Sequence, residues 1–254
     1  MGERLTGKVA VITGGAGSIG LATARAMVAD GASVMLVDLD SAALAGAAES
    51  IGAAPQVGWQ VADVTNEAQM QAAVNATVER FGGLDIAFAN AGVYGTNAPI
   101  TEMPLEVFER VLSVNVVGSL LLAKHALAVM RPGGSLIISS SVVGVTSFPG
   151  IAAYATSKHA LVGLARTAAK EMAPKGIRVN SLHPGPVDND FQHRIEMQET
   201  GASLEESTRI FDGVIPVGRH ADVDEIAAAV VFLASDDCRF MTGAQLVVDG
   251  GLSV

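Results

Sequence analysis

A chain of 254 residues, half of them hydrophobic and with a net charge of −10, can bury a large core in one or two domains and is too anionic to favour nonspecific attraction to nucleic-acid phosphates. The lone Cys238 excludes an internal disulfide, and five scattered histidines offer no zinc-ligand spacing, so no metal site is expected. The first ten residues hold no apolar leader and no apolar run reaches bilayer length, which predicts a cytoplasmic protein with no membrane partner. Met1-Gly2 with Thr6 matches a loose myristoylation pattern, but Thr6 falls just before the first strand and the match is set aside.

In chain order, β-branched runs alternate with segments of helical period. "KVAVITG" (8–14) predicts a strand, about Ile19 to Ala29 a helix, and "SVMLVD" (33–38) a second strand. Further strands are expected at 58–63, 84–91, 135–141, 177–184 and 245–251, each after at least one helical stretch. Seven such strands, read as nearly continuous apolar runs, predict an α/β fold. It is a single-domain, doubly wound (Rossmann) sheet over residues 1–254, mostly parallel, with helices on both faces. Ligands then gather beyond the strand carboxyl ends. Residues 188–216 are polar, long and only partly helical in pattern, as expected of a substrate loop or lid.

The first strand-to-helix turn, "TGGAGSIG" (13–20), carries Gly14, Gly15, Gly17 and Gly20. Glycines there let the backbone approach a pyrophosphate at a helix N-terminus, and Gly15-x-Gly17-x-x-Gly20 fits the general dinucleotide fingerprint. Asp38, eighteen residues after Gly20 and at the end of the second strand, can accept both adenosine-ribose hydroxyls and would repel a 2′-phosphate. Neither Ser18 nor Leu39 supplies a cation to offset that repulsion, so NAD is expected over NADP. The competing reading of an aspartate in "DLDSAAL" is a helix cap.

Tyr154 and Lys158 in "YATSK" share one face of a helix, and Ser141 lies thirteen residues before the tyrosine at a strand end. Removing a proton from an alcohol needs a base, whereas a free tyrosine titrates near ~10; the Lys158 ammonium and an oxidised nicotinamide would both favour the phenolate. With only two tyrosines and five lysines in the chain, this combination is a demanding coincidence.

Together these motifs resemble the short-chain dehydrogenases/reductases over nearly the whole chain. The glycine turn alone is equivocal. Compact members of that superfamily carry T-G-x-x-x-G-x-G, where this chain has Ser18; Thr13-Gly14-x-x-Gly17-x-x-Gly20 matches the extended members such as nucleotide-sugar epimerases. The downstream motifs, including "VDGG" (248–251), resemble the compact subgroup of about 250 residues. The resemblance implies that Tyr154 is general acid/base, Ser141 a hydrogen-bond partner of the substrate oxygen, and Lys158 a binder of the nicotinamide ribose. Asn115, in the helix "VLSVNVVG", would help hold a proton-relay water.

The same resemblance lays the dinucleotide along the turn, with Ile19, and past Asp38 and Leu39. It places Asp63 and Val64 at the adenine, Asn90, Ala91 and Gly92 in the middle, and Pro184, Gly185, Val187 and Asn189 at the nicotinamide. The substrate pocket is expected among Tyr94, Val142, Val143, Phe148, Pro186 and Phe191, with Ser141 and Tyr154 at the reacting oxygen. This apolar set predicts a hydrophobic or cyclic secondary alcohol interconverted with its ketone. A dihydrodiol dehydrogenase and a 3-ketoacyl-type reductase are the alternatives; a non-catalytic NAD-sensing protein and an epimerase stand further off. Long helices apolar on more than one face, together with the resemblance, point to a homotetramer.

Overall fold

The computed structural model describes residues 3–53 and 55–254; Met1-Gly2, where the acylation pattern begins, lies outside them. Seven strands form one sheet in the order β3-β2-β1-β4-β5-β6-β7. They are β1 (Val9–Thr13), β2 (Ser33–Asp38), β3 (Val57–Val61), β4 (Ile86–Ala89), β5 (Ser135–Ser139), β6 (Arg178–Pro184) and β7 (Gln245–Val248). Every pairing is parallel, so the sheet is wholly rather than mostly parallel. Helices supply the crossovers that parallel neighbours need. The last residues of several expected strands (Asp63, Asn90–Ala91, Ser140–Ser141, Asp249–Gly251) leave the sheet at its carboxyl edge, and the unusual side chains gather there.

Two apolar layers enclose the sheet. On one face α1 (Ser18–Ala29), α2 (Ser41–Ile51) and α9 (Val223–Ala234) bury Met27, Leu44 and Val230 against Ile12, Leu36 and Phe88. On the other, α3 (Glu67–Phe81), α5 (Gly118–Val129) and α6 (Ala152–Met172) bury Met70, Leu122 and Leu161 against Val11, Val37 and Ile138. Strand residues of alternating parity thus feed alternate layers, which is why the strands read as unbroken apolar runs. The order reverses between β1 and β4, and the crevice at their carboxyl ends is the position where such sheets bind ligands.

Two expectations are corrected. The segment 188–216 is a helical hairpin rather than a partly helical loop. α7 (Asp190–Thr200) is capped by Asn189 Oδ1 on the Gln192 amide, Gly201 turns the chain at φ 69°, and Ser203 caps α8 (Leu204–Val214). Second, α4 (Leu105–Leu112), a π-helical segment (Ser113–Val117) and α5 run as one helix, Leu105–Val129. With 25 residues and an 18-residue stretch of mean hydropathy 1.6 it is long and apolar enough by length and composition to cross a bilayer, although polar residues interrupt it and no unbroken apolar run was expected at that length. Its apolarity serves the core, where Leu121, Leu122, Ala123 and Ala126 pack against α3 and the sheet.

Candidate active site

The glycine turn shows which of its residues must lack a side chain. Gly14 sits at φ +64°, a left-handed conformation that favours glycine, and a Cβ on Gly20 would lie 2.2 Å from the Gly14 carbonyl oxygen. Gly17, the residue that separated the two patterns, has extended backbone (φ −73°, ψ 162°), and a Cβ there would meet only the Gly14 carbonyl, at 3.3 Å. Both patterns share positions 14 and 20, so glycine at 17 with serine at 18 leaves the turn's fold intact. The turn is clamped from β4: Asn90 Nδ2 donates to the carbonyls of Thr13 and Gly14, and the amides of Asn90 and Ala91 donate to Thr13 Oγ1. Asp38 Oδ2 accepts the Ala16 amide at 3.1 Å and Oδ1 the Leu39 amide, while Asp40, not Asp38, caps α2.

The three serines after β5 divide their labour. Ser139 offers its carbonyl to Lys158 Nζ at 2.9 Å, and Ser140 Oγ donates to the Lys158 carbonyl at 2.8 Å. Ser141 is left to face the cleft, its Oγ accepting the Val143 amide at 3.3 Å. Gly144 permits this contact, since a Cβ there would lie 2.2 Å from Ser140 Oγ. Behind Ser141, fully buried His183 donates Nδ1–H to the Ser141 carbonyl. Its Nε2 then accepts from Ser181 Oγ, as a neutral imidazole must. Burial holds His183 below its ordinary pKa, with Lys158 adding to that effect.

Tyr154, on α6, stands beside Lys158, whose Nζ is 5.3 Å from the phenol ring centroid. The lowered phenol pKa expected from this neighbour is not what the polypeptide alone produces. Burial pushes Tyr154 up to about 12, with Ser141 pulling the other way, and burial pushes Lys158 down to about 8. The ammonium is turned to the Ser139 carbonyl, so desolvation dominates at the phenol.

Asn115 stands behind the cleft wall. It is fully buried, its Nδ2 donates to the Val93 carbonyl and Ser157 Oγ, and its Oδ1 accepts the Val93 amide. The π turn aims it inward as a brace behind Gly92-Val93, one layer away from the cleft wall. Asp63 is likewise engaged locally, accepting from the Thr65 amide and hydroxyl. Asp63, Asn115, Gly15 and Gly20 are the expected site residues that do not line the cleft.

The remaining expected residues line one cavity of about 430 Å³. At one end are Gly14, Gly17, Ser18, Ile19, Asp38, Leu39 and Val64; Asn90, Ala91, Gly92 and Lys158 follow. Pro184, Gly185, Pro186, Val187 and Asn189 enter from β6 and the start of α7. The other end holds Ser141, Tyr154, Val142, Val143, Phe148, Tyr94 and Phe191. Tyr94 and Phe191 flank the Tyr154 ring, at centroid distances of 5.3 and 6.5 Å. The segment 188–216, expected as a substrate loop, reaches this wall through Gln192, Ile195, Glu199 and Phe211 as well as Phe191, while Ile151 and Leu252 lie outside the expected set. Phe191, Ile195 and Glu199 recur every four residues, a signal visible only once 190–200 is known to be a helix.

A family model described as enoyl-(acyl carrier protein) reductase matches residues 14–253. The chain belongs to the short-chain dehydrogenase/reductase superfamily. Among its relatives in this superfamily, momilactone A synthase of Oryza sativa subsp. japonica is 45% identical, over 99% of this chain and 92% of that protein. The 2,5-dichloro-2,5-cyclohexadiene-1,4-diol dehydrogenase of Sphingobium indicum is 37% identical over 98% of both chains. Among solved structures, levodione reductase superposes at TM-score 0.95 with 36% identity, covering 98% of this chain and 99% of its own. NAD+-bound xylitol dehydrogenase superposes at 0.90 with 34% identity, covering 98% and 100%. The superfamily assignment makes the protein an oxidoreductase of the dehydrogenase/reductase type that uses a nicotinamide cofactor.

Proposed function

We propose that the protein is an NAD-dependent dehydrogenase interconverting a cyclic secondary alcohol and its ketone. The observation that carries this reading is the run of one cavity from Asp38 and the glycine turn to a half-buried Tyr154 with Ser141 and Lys158 on the same wall. The residues present fit a dinucleotide: a side chain at Gly92 would stand 3.3 Å from Asn115 Oδ1 and 3.7 Å from Lys158 Nζ, so this wall is bare where the cofactor must pass. Gly14, Gly17 and the N-terminus of α1 at Ser18 would hold the pyrophosphate, Asp38 the adenosine ribose, and Lys158 the nicotinamide ribose.

When bound, the cofactor supplies the carbon that accepts or donates hydride and, oxidised, a positive ring. Ser141 Oγ holds the substrate oxygen, and Tyr154 Oη takes the hydroxyl proton. Tyr154 must be phenolate to take that proton, and Lys158, whose ammonium is held against the Ser139 carbonyl, favours the phenolate before the proton arrives. Val142, Val143, Ile151 and Phe191 exclude water and fit an apolar ring. Asp38 accepts two backbone amides and faces no lysine or arginine within the cavity at that end, which favours a ribose 2′-hydroxyl over a phosphate. Similarity to levodione reductase and to the cyclohexadiene-diol dehydrogenase supports the cyclic substrate.

The test is a panel of cyclic and open-chain secondary alcohols assayed with NAD and with NADP, on wild type and Tyr154→Phe. NAD is expected to exceed NADP by at least about tenfold in kcat/KM, and Tyr154→Phe to lose about a hundredfold or more. Turnover limited to acyclic polyols, or near-normal activity in Tyr154→Phe, overturns the reading.

A further inference from the structure

Beyond Ser141, Tyr154 and Gln192, the substrate end of the cavity carries one further polar pair. Tyr94 Oη donates to Glu199 Oε1 at 2.6 Å, joining the loop after β4 to the last turn of α7 across 105 residues of chain. Among the described residues two carboxylates line the cavity: Asp38 at the glycine turn, and Glu199 at the opposite end, on the stripe it shares with Phe191 and Ile195. Tyr94 needs an acceptor for its buried hydroxyl, and one oxygen of any amide or carboxylate would suffice. A glutamate brings a second oxygen and a charge; Glu199 is an exposed residue, and with Oε1 held by Tyr94 its Oε2 is open to a ligand donor. Burial raises the Glu199 carboxyl above its ordinary value, the Tyr94 hydroxyl pulls it back, and Glu196 raises it further.

We propose that Glu199, fixed by Tyr94, accepts a hydrogen bond from a second hydroxyl of the substrate, so that the preferred substrate is a neutral carbocyclic diol. A mono-alcohol leaves the carboxylate without its donor, and a ring hydroxy acid places a second anion against it. The proposal rests on the cyclic-alcohol reading and narrows it. Three substrates separate the two: trans-cyclohexane-1,4-diol, cyclohexanol and trans-4-hydroxycyclohexanecarboxylate, each assayed with NAD for kcat and KM.

In wild type the diol is expected to exceed cyclohexanol by about tenfold or more in kcat/KM, mostly through KM, with the hydroxy acid poorest. Glu199→Leu removes the acceptor and should bring the diol-to-cyclohexanol ratio close to one. Glu199→Gln keeps an acceptor but no charge, and should raise the hydroxy acid relative to the diol by about tenfold or more. Tyr94→Phe keeps the ring and frees Glu199, and should lower the diol ratio without rescuing the hydroxy acid.

A wild-type diol-to-cyclohexanol ratio near one, a ratio unmoved by Glu199→Leu, or oxidation of the hydroxy acid as readily as the diol would overturn the proposal. Where cyclohexanol is still oxidised through Tyr154, the cyclic-alcohol reading survives that loss. If none of the three is oxidised although NAD raises the melting temperature, both fall together.

Discussion

Tyr154 is placed where burial alone opposes its ionisation, up to about 12, and the polypeptide group that pulls it down is Ser141. Ser141→Ala should therefore act twice. It removes a partner of the reacting oxygen, costing at least about tenfold in kcat/KM. It also lifts the phenol pKa, so the rising limb of alcohol oxidation, which climbs as the phenol loses its proton, moves to higher pH. A kcat/KM profile against pH checks this; a limb that stays in place while the rate falls would mean that Ser141 only positions the substrate. His183 supports the same residue from behind, gripping the Ser141 carbonyl while remaining neutral.

At this scale the sequence was informative where a residue acts through its own neighbourhood. Tyr154, Lys158, Ser141 and Gly14 could be read directly. Asn115 was named only through the resemblance and Glu199 not at all, because each is defined by partners far along the chain: Asn115 by Val93 and Ser157, Glu199 by Tyr94.

Among the elements, the α7–α8 hairpin is tied by His220, which approaches Glu196 of α7 through Nε2 and Asp212 of α8 through Nδ1. Glu196 is fully buried, and Gln192 Nε2 also donates to it. The hydrogen bond to Glu196 raises the His220 pKa, burial opposes it, and Asp212 adds to the rise. A raised folded-state value stabilises fully below the unfolded pKa near ~6.5 and is lost as pH climbs through the folded value. Above it the neutral ring has one N–H for two carboxylates. Amide hydrogen exchange, corrected for intrinsic rates, should show α7 and α8 losing protection with rising pH while β4 and β5 keep theirs. Unchanged relative protection would discard this latch. His220→Ala, which strands Glu196, should destabilise by about 3 kcal/mol.

The hairpin also marks where reading the sequence stopped short. The caps were present as letters: Asn189, Gly201, and Ser203 three residues before Glu206. The apolar period was not, because α7 buries Glu196 as well as Ile195. The strands were legible for the opposite reason, since burial on both faces leaves little room for polar residues in β1, β4 or β5.

For the whole molecule, the helix Leu105–Val129 leaves large apolar groups uncovered: Leu105 is 67% exposed, Leu120 46% and Val117 41%. Such a face on an element otherwise built for the core favours contact with further copies of the chain, and we propose a homotetramer. Multi-angle light scattering at assay concentration should give about four times the 25.9 kDa chain mass. A monomer there would refute the assembly.

The rivets between β5 and α6, where Ser139 and Ser140 each bond Lys158, give the enzyme two walls of unequal permanence. The proton-handling wall is bonded directly to the end of a central strand. The facing wall is a separate panel of two short helices, contributing Phe191, Ile195, Glu199 and Phe211. A protein divided in this manner can exchange its clientele by replacing the panel while the chemistry stays as it was.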